Sequence, residues 1–281
     1  MNRHLLEIHL AVLLFGLASL FGKWVALPAV IIVLGRVAFA VPALAAVLRW
    51  KGQNLRLNRR RHYLYLSLLG LLLAVHWVTF FESVQVSTVA VCLVSYSTFP
   101  FFTVFLEPLF FREPLSRRGL VLAIVTLLGV ALVIPEWKLG NNITLGVFWG
   151  VLSGLSFALL SVLNRRYVRT YTSLQVAFYQ DLVAFLLLFP FWFMLLPVPS
   201  AQDWWLLALL GVVFTAFSHT LFISGMKAVP ARTASIIATL EPVYGVIAAA
   251  VLLGEVPGLR VVAGGALIVG AMAYASWRPE G

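Results

Sequence analysis

The chain has 281 residues, 62% of them hydrophobic and 11% charged, with a mean hydropathy of +1.00 and a formal net charge of +10. A soluble domain carries roughly 25% charged residues, so these side chains fit lipid as their solvent. The positive surplus does not mark a nucleic-acid partner, because the basic residues sit in short loops between apolar runs, where topology and anionic membrane lipids account for them.

Ten apolar runs are long enough, at about 17 to 25 residues, to cross roughly 30 Å of hydrocarbon as helices. Only helices or a closed barrel satisfy the backbone in lipid, and these runs lack the alternation of barrel strands. The first, 5–23, follows Arg3 and His4 and ends at Lys23; an internal echo at 151–168 makes it part of the fold and not a leader. The second, 28–48, carries Gly35-Arg36 and leads into Arg49, Lys51, Arg56, Arg59, Arg60 and Arg61. His76, Trp77 and Phe80 lie in the third, 62–81. The fourth, 86–111, holds the lone Cys92 and the polar stretch Ser95-Tyr96-Ser97-Thr98-Phe99-Pro100, and Arg112, Arg117 and Arg118 follow it. One cysteine offers neither a disulfide framework nor a cysteine metal site.

The fifth run is 118–134. The sixth, 145–164, repeats small residues at Gly146, Gly150, Gly154 and Ala158, a ridge for close helix approach within a monomer or, alternatively, at a homodimer seam. Arg165, Arg166 and Arg169 follow it. The seventh, 173–196, contains Gln180-Asp181; the eighth, 204–225, contains Ser218-His219 and Phe222 and begins at Trp204-Trp205, which read as interface anchors. The ninth, 231–253, carries Ser235, Thr239, Glu241, Pro242 and Tyr244, and the tenth, 259–277, carries Gly264, Gly265 and Gly270.

Counting Arg3, Lys227 and Arg278 with these loops, fifteen of twenty basic residues fall on the side shared by both termini. The opposite side keeps Lys23, Lys138 and Arg260 with Glu82, Glu136, Asp203 and Glu255. The positive-inside rule places both termini in the cytoplasm.

The sequence also repeats. A shift of 142 residues lays Leu10, Leu13, Phe15, Leu17 and Ser19 on Leu152, Leu155, Phe157, Leu159 and Ser161, and Pro100, Glu113 and Arg118 on Pro242, Glu255 and Arg260. Residues 1–140 and 141–281 are therefore expected to be two five-helix repeats. An odd number of spans inverts the second relative to the first, an arrangement many secondary transporters use.

Ionisable groups inside spans cost about 2.5–3.5 kcal/mol each on the insertion scale and are functional candidates by default. Glu241 stands beside Pro242, which leaves the carbonyl of Ala238 without its helical donor. It reads either as a proton or amine site or as a protonated tether on a kinked helix. Arg36 and Asp181 occupy near-corresponding positions of the halves. Arg36 can bind a carboxylate, pair with an acid, or snorkel to the nearer interface. His76 and His219 also sit near matching positions and read as proton carriers or as hydrogen-bonded packing residues. Phosphate loops and hydrolase or metalloprotease signatures are absent from the sequence, so no catalytic residue, metal or cofactor is expected.

The chain resembles the drug/metabolite transporter superfamily, in its EamA branch. The resemblance rests on the five-plus-five spans, the opening Leu-Leu-Phe-Gly-Leu-Ala-Ser-Leu-Phe-Gly-Lys, Gly35-Arg36, Arg112-Glu113, Leu240-Glu241-Pro242-Val243 and Leu253-Gly254-Glu255. It implies an all-α membrane fold whose central cavity is formed by spans 1, 3, 4, 6, 8 and 9. It also implies a bacterial inner-membrane location, alternating access and export of amino acids or related metabolites. Substrate contacts are expected from His76, Trp77, Phe80, Tyr96, Thr98, Phe99, His219, Phe222, Thr239, Glu241 and Tyr244, with helix breaks at Pro100 and Pro242. Glu241 or His219 would couple transport to protons. Where the second half has Glu241-Pro242 the first has Phe99-Pro100, so the halves are not chemically equivalent. Organic cations, drugs, nucleobases and vitamins are alternative cargoes of the same fold. An integral-membrane enzyme or a lipid scramblase is the alternative of another class.

Overall fold

Apolar residues in unbroken runs, with few groups able to compete for backbone hydrogen bonds, fold here as helices, and the prolines decide where several begin. The computed structural model describes residues 3–111, 117–134, 138, 140–167, 170–226, 228–229, 237–238 and 240–277. Arg112, Glu113, Glu136, Arg169, Lys227, Ser235, Thr239 and Arg278 lie outside them. All regular structure among the described residues is helical. In chain order the helices are α1 (Arg3–Ala18), α2 (Phe21–Trp24), α3 (Ala29–Trp50), α4 (Arg60–Val86), α5 (Val89–Tyr96), α6 (Phe99–Phe111) and α7 (Arg117–Val133). They continue as α8 (Asn142–Tyr167), α9 (Ser173–Leu188), α10 (Pro190–Leu195), α11 (Ala201–Gly211), a π-helical turn Val212–Phe217, α12 (Ser218–Gly225), α13 (Glu241–Leu253) and α14 (Leu259–Trp277).

Seven stretches are long and apolar enough to cross a membrane: Arg3–Trp24, Ala29–Trp50, Arg60–Val86, Val89–Phe110, Asn142–Asn164, Ser173–Leu195 and Ala201–Gly225. They match the first four expected spans and the sixth to eighth. Shorter apolar helices, Ala123–Val133, Glu241–Leu253 and Leu259–Ala271, fall at the fifth, ninth and tenth. Leu64, Leu109, Phe193 and Val251 are among the large apolar side chains that face outward, as a lipid-facing surface requires. Trp204 and Trp205 are exposed as well.

Several boundaries follow from single residues. Pro190 opens α10 and Pro242 sits in the first turn of α13, where a missing N–H leaves no bond unmade. The fourth expected span is broken at Ser97 and Thr98, and Pro100 stands in the first turn of α6. Thr172 and Gln175 form a reciprocal capping box at α9, as Ser200 and Asp203 do at α11. The other oxygen of Asp203 accepts from the N–H of Ala26 at 3.1 Å, tying the approach to α3 to α11. Gly254, at φ +67°, ends α13 in the left-handed conformation that glycine adopts freely.

The packing interleaves the two sequence halves. The long α4 lies against α8 and α9, α1 lies between α12 and α13, and α5 and α6 run along α8. The Gly ridge of α8 makes its approach inside the monomer. A Cβ at Gly150 would stand 2.6 Å from Ser95 Cβ, and one at Gly154 would stand 2.8 Å from the Tyr96 carbonyl. At the end away from the basic loops three distant segments meet. Lys23 Nζ donates to the Ser87 carbonyl at 2.7 Å and lies 3.9 Å from Glu255, which accepts from the Val89 N–H at 2.9 Å.

Candidate functional site

Where α1, α3, α4, α5, α8, α12 and α13 converge they leave a cavity walled by rings and dotted with polar groups. Phe15, Trp77, Phe80, Phe81 and Tyr96 come from the first half, and Phe157, Phe214 and Phe222 from the second. Arg36, His76, Ser161, Asn164, His219 and Glu241 supply the polar points. An apolar wall with a few convergent polar groups is the form of a small-molecule site.

The rings brace one another. Tyr96 stacks on Phe99 with centroids 5.4 Å apart and meets Phe80 and Phe157 at 5.6 and 5.5 Å. Phe15 and Phe222 close the opposite side at 5.5 Å. His76 is fixed in this wall: its Nδ1–H donates to the Ser153 carbonyl at 3.2 Å, and the Ser153 hydroxyl donates back to the His76 carbonyl at 3.0 Å. With Nδ1 engaged outward, the rest of the imidazole borders the cavity among Phe80, Tyr96 and Phe157.

Arg36 does not snorkel. It is 4% exposed, with its guanidinium carbon 3.8 Å from the Trp77 ring centroid and 5.6 Å from that of Phe81. Stacking of this kind contributes about 2 kcal/mol when desolvated. Its Nε donates to Thr215 Oγ1 at 2.9 Å, and Nη2 reaches toward the Phe214 carbonyl at 3.5 Å. Both acceptors belong to the π-helical turn, where an added residue reshapes the backbone hydrogen bonds. Such turns recur at functional sites. Gly211 lets α3 press against that turn: a Cβ there would fall on the Arg36 carbonyl and 2.6 Å from Phe39 Cβ.

Behind the wall lies a second polar layer. Asp181 is fully buried, and both its carboxylate oxygens lack a hydrogen-bond partner among the described residues. The nearest basic nitrogen is His219 Nδ1 at 3.9 Å, itself unpartnered. Next to Asp181, Gln180 donates to Asn164 at 2.7 Å, joining this layer to the cavity. Glu241 begins α13 and is 6% exposed; its main-chain carbonyl packs where a Cβ on Gly16 would come within 2.8 Å.

Of the site residues expected from sequence, His76, Trp77, Phe80, Tyr96, His219, Phe222 and Glu241 line one cavity. Thr98 does not: the break at Ser97 turns it toward Gly154, and its hydroxyl is spent on the Ser95 carbonyl at 2.7 Å. Phe99 stands behind Tyr96 and Phe157, and Tyr244 packs outside the lining. Thr239 lies outside the described residues. Asn164, Phe81 and Phe214 line the cavity without any sequence signal of their own, whereas Phe15, Phe157 and Ser161 stand out in the sequence only as matched positions of the repeat. Among the described residues no three His, Cys, Asp or Glu side chains gather as metal ligands.

The profile of the EamA-like transporter family matches residues 4–134 and again 144–277. An uncharacterized transporter of Archaeoglobus fulgidus is 31% identical over 167 residues, 59% of this chain and 59% of that one. S-adenosylmethionine uptake transporters of Rickettsia bellii and Rickettsia felis are each 25% identical, over 73% and 80% of this chain and 69% and 75% of their own lengths. A solved structure described only as the crystal structure of a protein superposes with a TM-score of 0.69 over 98% of this chain and 96% of its own, at 18% identity, a likeness of fold alone. A profile that covers both stretches takes in nearly the whole sequence of this multi-pass membrane protein, and the chain belongs to the EamA-like transporter family.

Proposed function

We propose that the protein is a secondary active transporter that carries a small metabolite, an amino acid or a related compound, across the bacterial inner membrane by alternating access. In this reading ten helices form two inverted five-helix repeats, 1–140 and 141–281, with both termini cytoplasmic and export as the direction. The observation that carries it is the cavity walled from both halves, with rings to hold a cargo's apolar body and Arg36, His76, His219 and Glu241 to meet its polar ends. Glu241, at a helix start and facing the cavity, exchanges a proton or binds an amine. Its test is flux in proteoliposomes loaded with labelled amino acids. Glu241→Gln abolishes the pH dependence of transport if the carboxyl has this role, and an unchanged pH dependence removes it.

A second reading, uptake of S-adenosylmethionine or a like molecule, draws on the names of the Rickettsia relatives. The cavity chemistry suits it: a purine needs ring walls, a sulfonium needs aromatic faces or a carboxylate, and an amino-acid end needs both signs of charge. A thermal-shift comparison of amino acids, S-adenosylmethionine, nucleobases, vitamins and cationic drugs separates the readings, because a ligand that binds only the folded state raises its melting temperature.

A further inference from the structure

The cavity is lined by a guanidinium that uses only part of its hydrogen bonding among the described residues, and behind it lies a buried carboxyl group whose oxygens accept no hydrogen bond from them. A guanidinium has five N–H donors in a planar fork. Arg36 commits Nε to Thr215 and reaches the Phe214 carbonyl only at 3.5 Å, while its face is covered by Trp77. Arg36 lines the cavity, and a planar fork pairs best with a carboxylate. Asp181 lies within electrostatic reach of Arg36, but no hydrogen bond joins them. A buried carboxylate without partners is costly, and such a group in a folded protein calls for an explanation. Counterbalancing Arg36 in the empty cavity supplies one.

We propose that Arg36 anchors a carboxylate of the cargo and that Asp181, reached through His219, takes up one proton as that carboxylate docks. This rests on the transporter reading and not on its direction. A docked carboxylate and an ionised Asp181 would place two negative charges on one buried cation in a low-dielectric site. One proton on Asp181 restores the balance, and it leaves when the cargo does. His219 is placed to hand it over, because its Nδ1 faces Asp181 at 3.9 Å while its ring borders the cavity beside Trp77, 6.0 Å between centroids. Imidazole is the natural carrier at neutral pH.

The other elements packed against α9 bring few competitors. α3 contributes Arg36 and α12 contributes His219. α4 contributes His76, whose Nδ1 is held by Ser153. Glu241 lines the same cavity from α13. A proton and a carboxylate bound together cross the membrane in the same direction.

The first test needs no cargo. In the purified full-length protein, infrared spectra at neutral pH are compared for wild type, Arg36→Gln, Arg36→Lys and Arg36→Gln/Asp181→Asn. Removing the cation leaves Asp181 without its balance, so Arg36→Gln gains a protonated-carboxyl band that the double variant lacks. Arg36→Lys, which keeps the charge, does not gain it and serves as the reading if Arg36→Gln fails to fold. A band that persists in the double variant, or one that Arg36→Lys gains as strongly as Arg36→Gln, overturns the charge pairing.

The second test uses S-adenosylmethionine and the amino acids as probes, each beside its carboxamide, with proton uptake measured in weakly buffered solution. The acid form is expected to bind wild type with about one proton taken up. Arg36→Gln should weaken the acid about 10- to 100-fold and the amide little. Asp181→Asn should bind the acid more tightly, with no proton uptake. Equal weakening of acid and amide, or undiminished proton uptake in Asp181→Asn, overturns the proposal. If no probe binds wild type, the cargo class proposed above fails, and the infrared comparison alone decides the fate of the Arg36–Asp181 pair.

Discussion

Gly211 shows how little tolerance the site has. Its missing side chain makes room for the backbone of α3 at Arg36, with Phe39 Cβ as the next neighbour. Gly211→Ala should therefore push the guanidinium off Trp77 and lower the stability of the folded protein by about 1–3 kcal/mol, read as a fall in melting temperature in detergent. Thr215→Val removes the one close acceptor of Arg36 Nε without changing the shape of the turn. A buried charge left short of a partner costs about 1–3 kcal/mol, and transport should fall further than the loss of stability explains, because the guanidinium is then free to turn. Melting temperature and flux measured together check both. Arg36 was legible as an oddity, since a charge inside an apolar run always is. Its neighbourhood with the element that carries Asp181 was not, because no local rule states that the second and seventh apolar runs touch, and α3 meets α9 only through tertiary packing.

Among the elements, the broken helices were the most legible and the π-helical turn the least. Pro100 and Pro242 announce interruptions, and the structure puts each in the first turn of a new helix, α6 and α13. Nothing in Val-Val-Phe-Thr-Ala-Phe announces six residues of wider winding; the Thr215 hydroxyl there donates to the Leu210 carbonyl and accepts from Arg36 on α3, a contact that only the folded packing supplies. The same limit explains Thr98, whose polarity pointed to the cavity and whose hydroxyl serves the turn before α6. The α8 ridge, by contrast, was readable from spacing, and its use against α4 and α5 suggests a sharp test. Gly150→Val sets a branched side chain against Ser95 Cβ in that seam. Strongly reduced yield of folded protein is expected. The same substitution at Gly52 or Gly258, where an added Cβ meets nothing within 4 Å, should leave far more, with Gly258 the cleaner control because Gly52 has φ +62°.

For the whole molecule, orientation is the property that sequence argued most strongly and that awaits a direct measurement. Cys92 is buried with its thiol against the Phe80 carbonyl at 3.3 Å, and Cys92→Ala supplies a background without native thiols. On that background Val198→Cys, in an exposed loop, should react with a charged maleimide added to intact cells. Arg56→Cys, in the basic loop, should react only once the membrane is opened. The reverse pattern would invert the assignment of both termini.

The meeting of Lys23, Ser87, Val89 and Glu255 has a mechanical consequence. Glu255 holds the first N–H of α5 and Lys23 holds the carbonyl two residues earlier, so one short stretch of backbone is gripped from two sides by segments far apart in sequence. Neither grip can slip gradually, since moving the stretch releases a donor and an acceptor together. That end of the protein should open like a snap fastener, shut or released with little between, and the rate at which it lets go would set a ceiling on turnover.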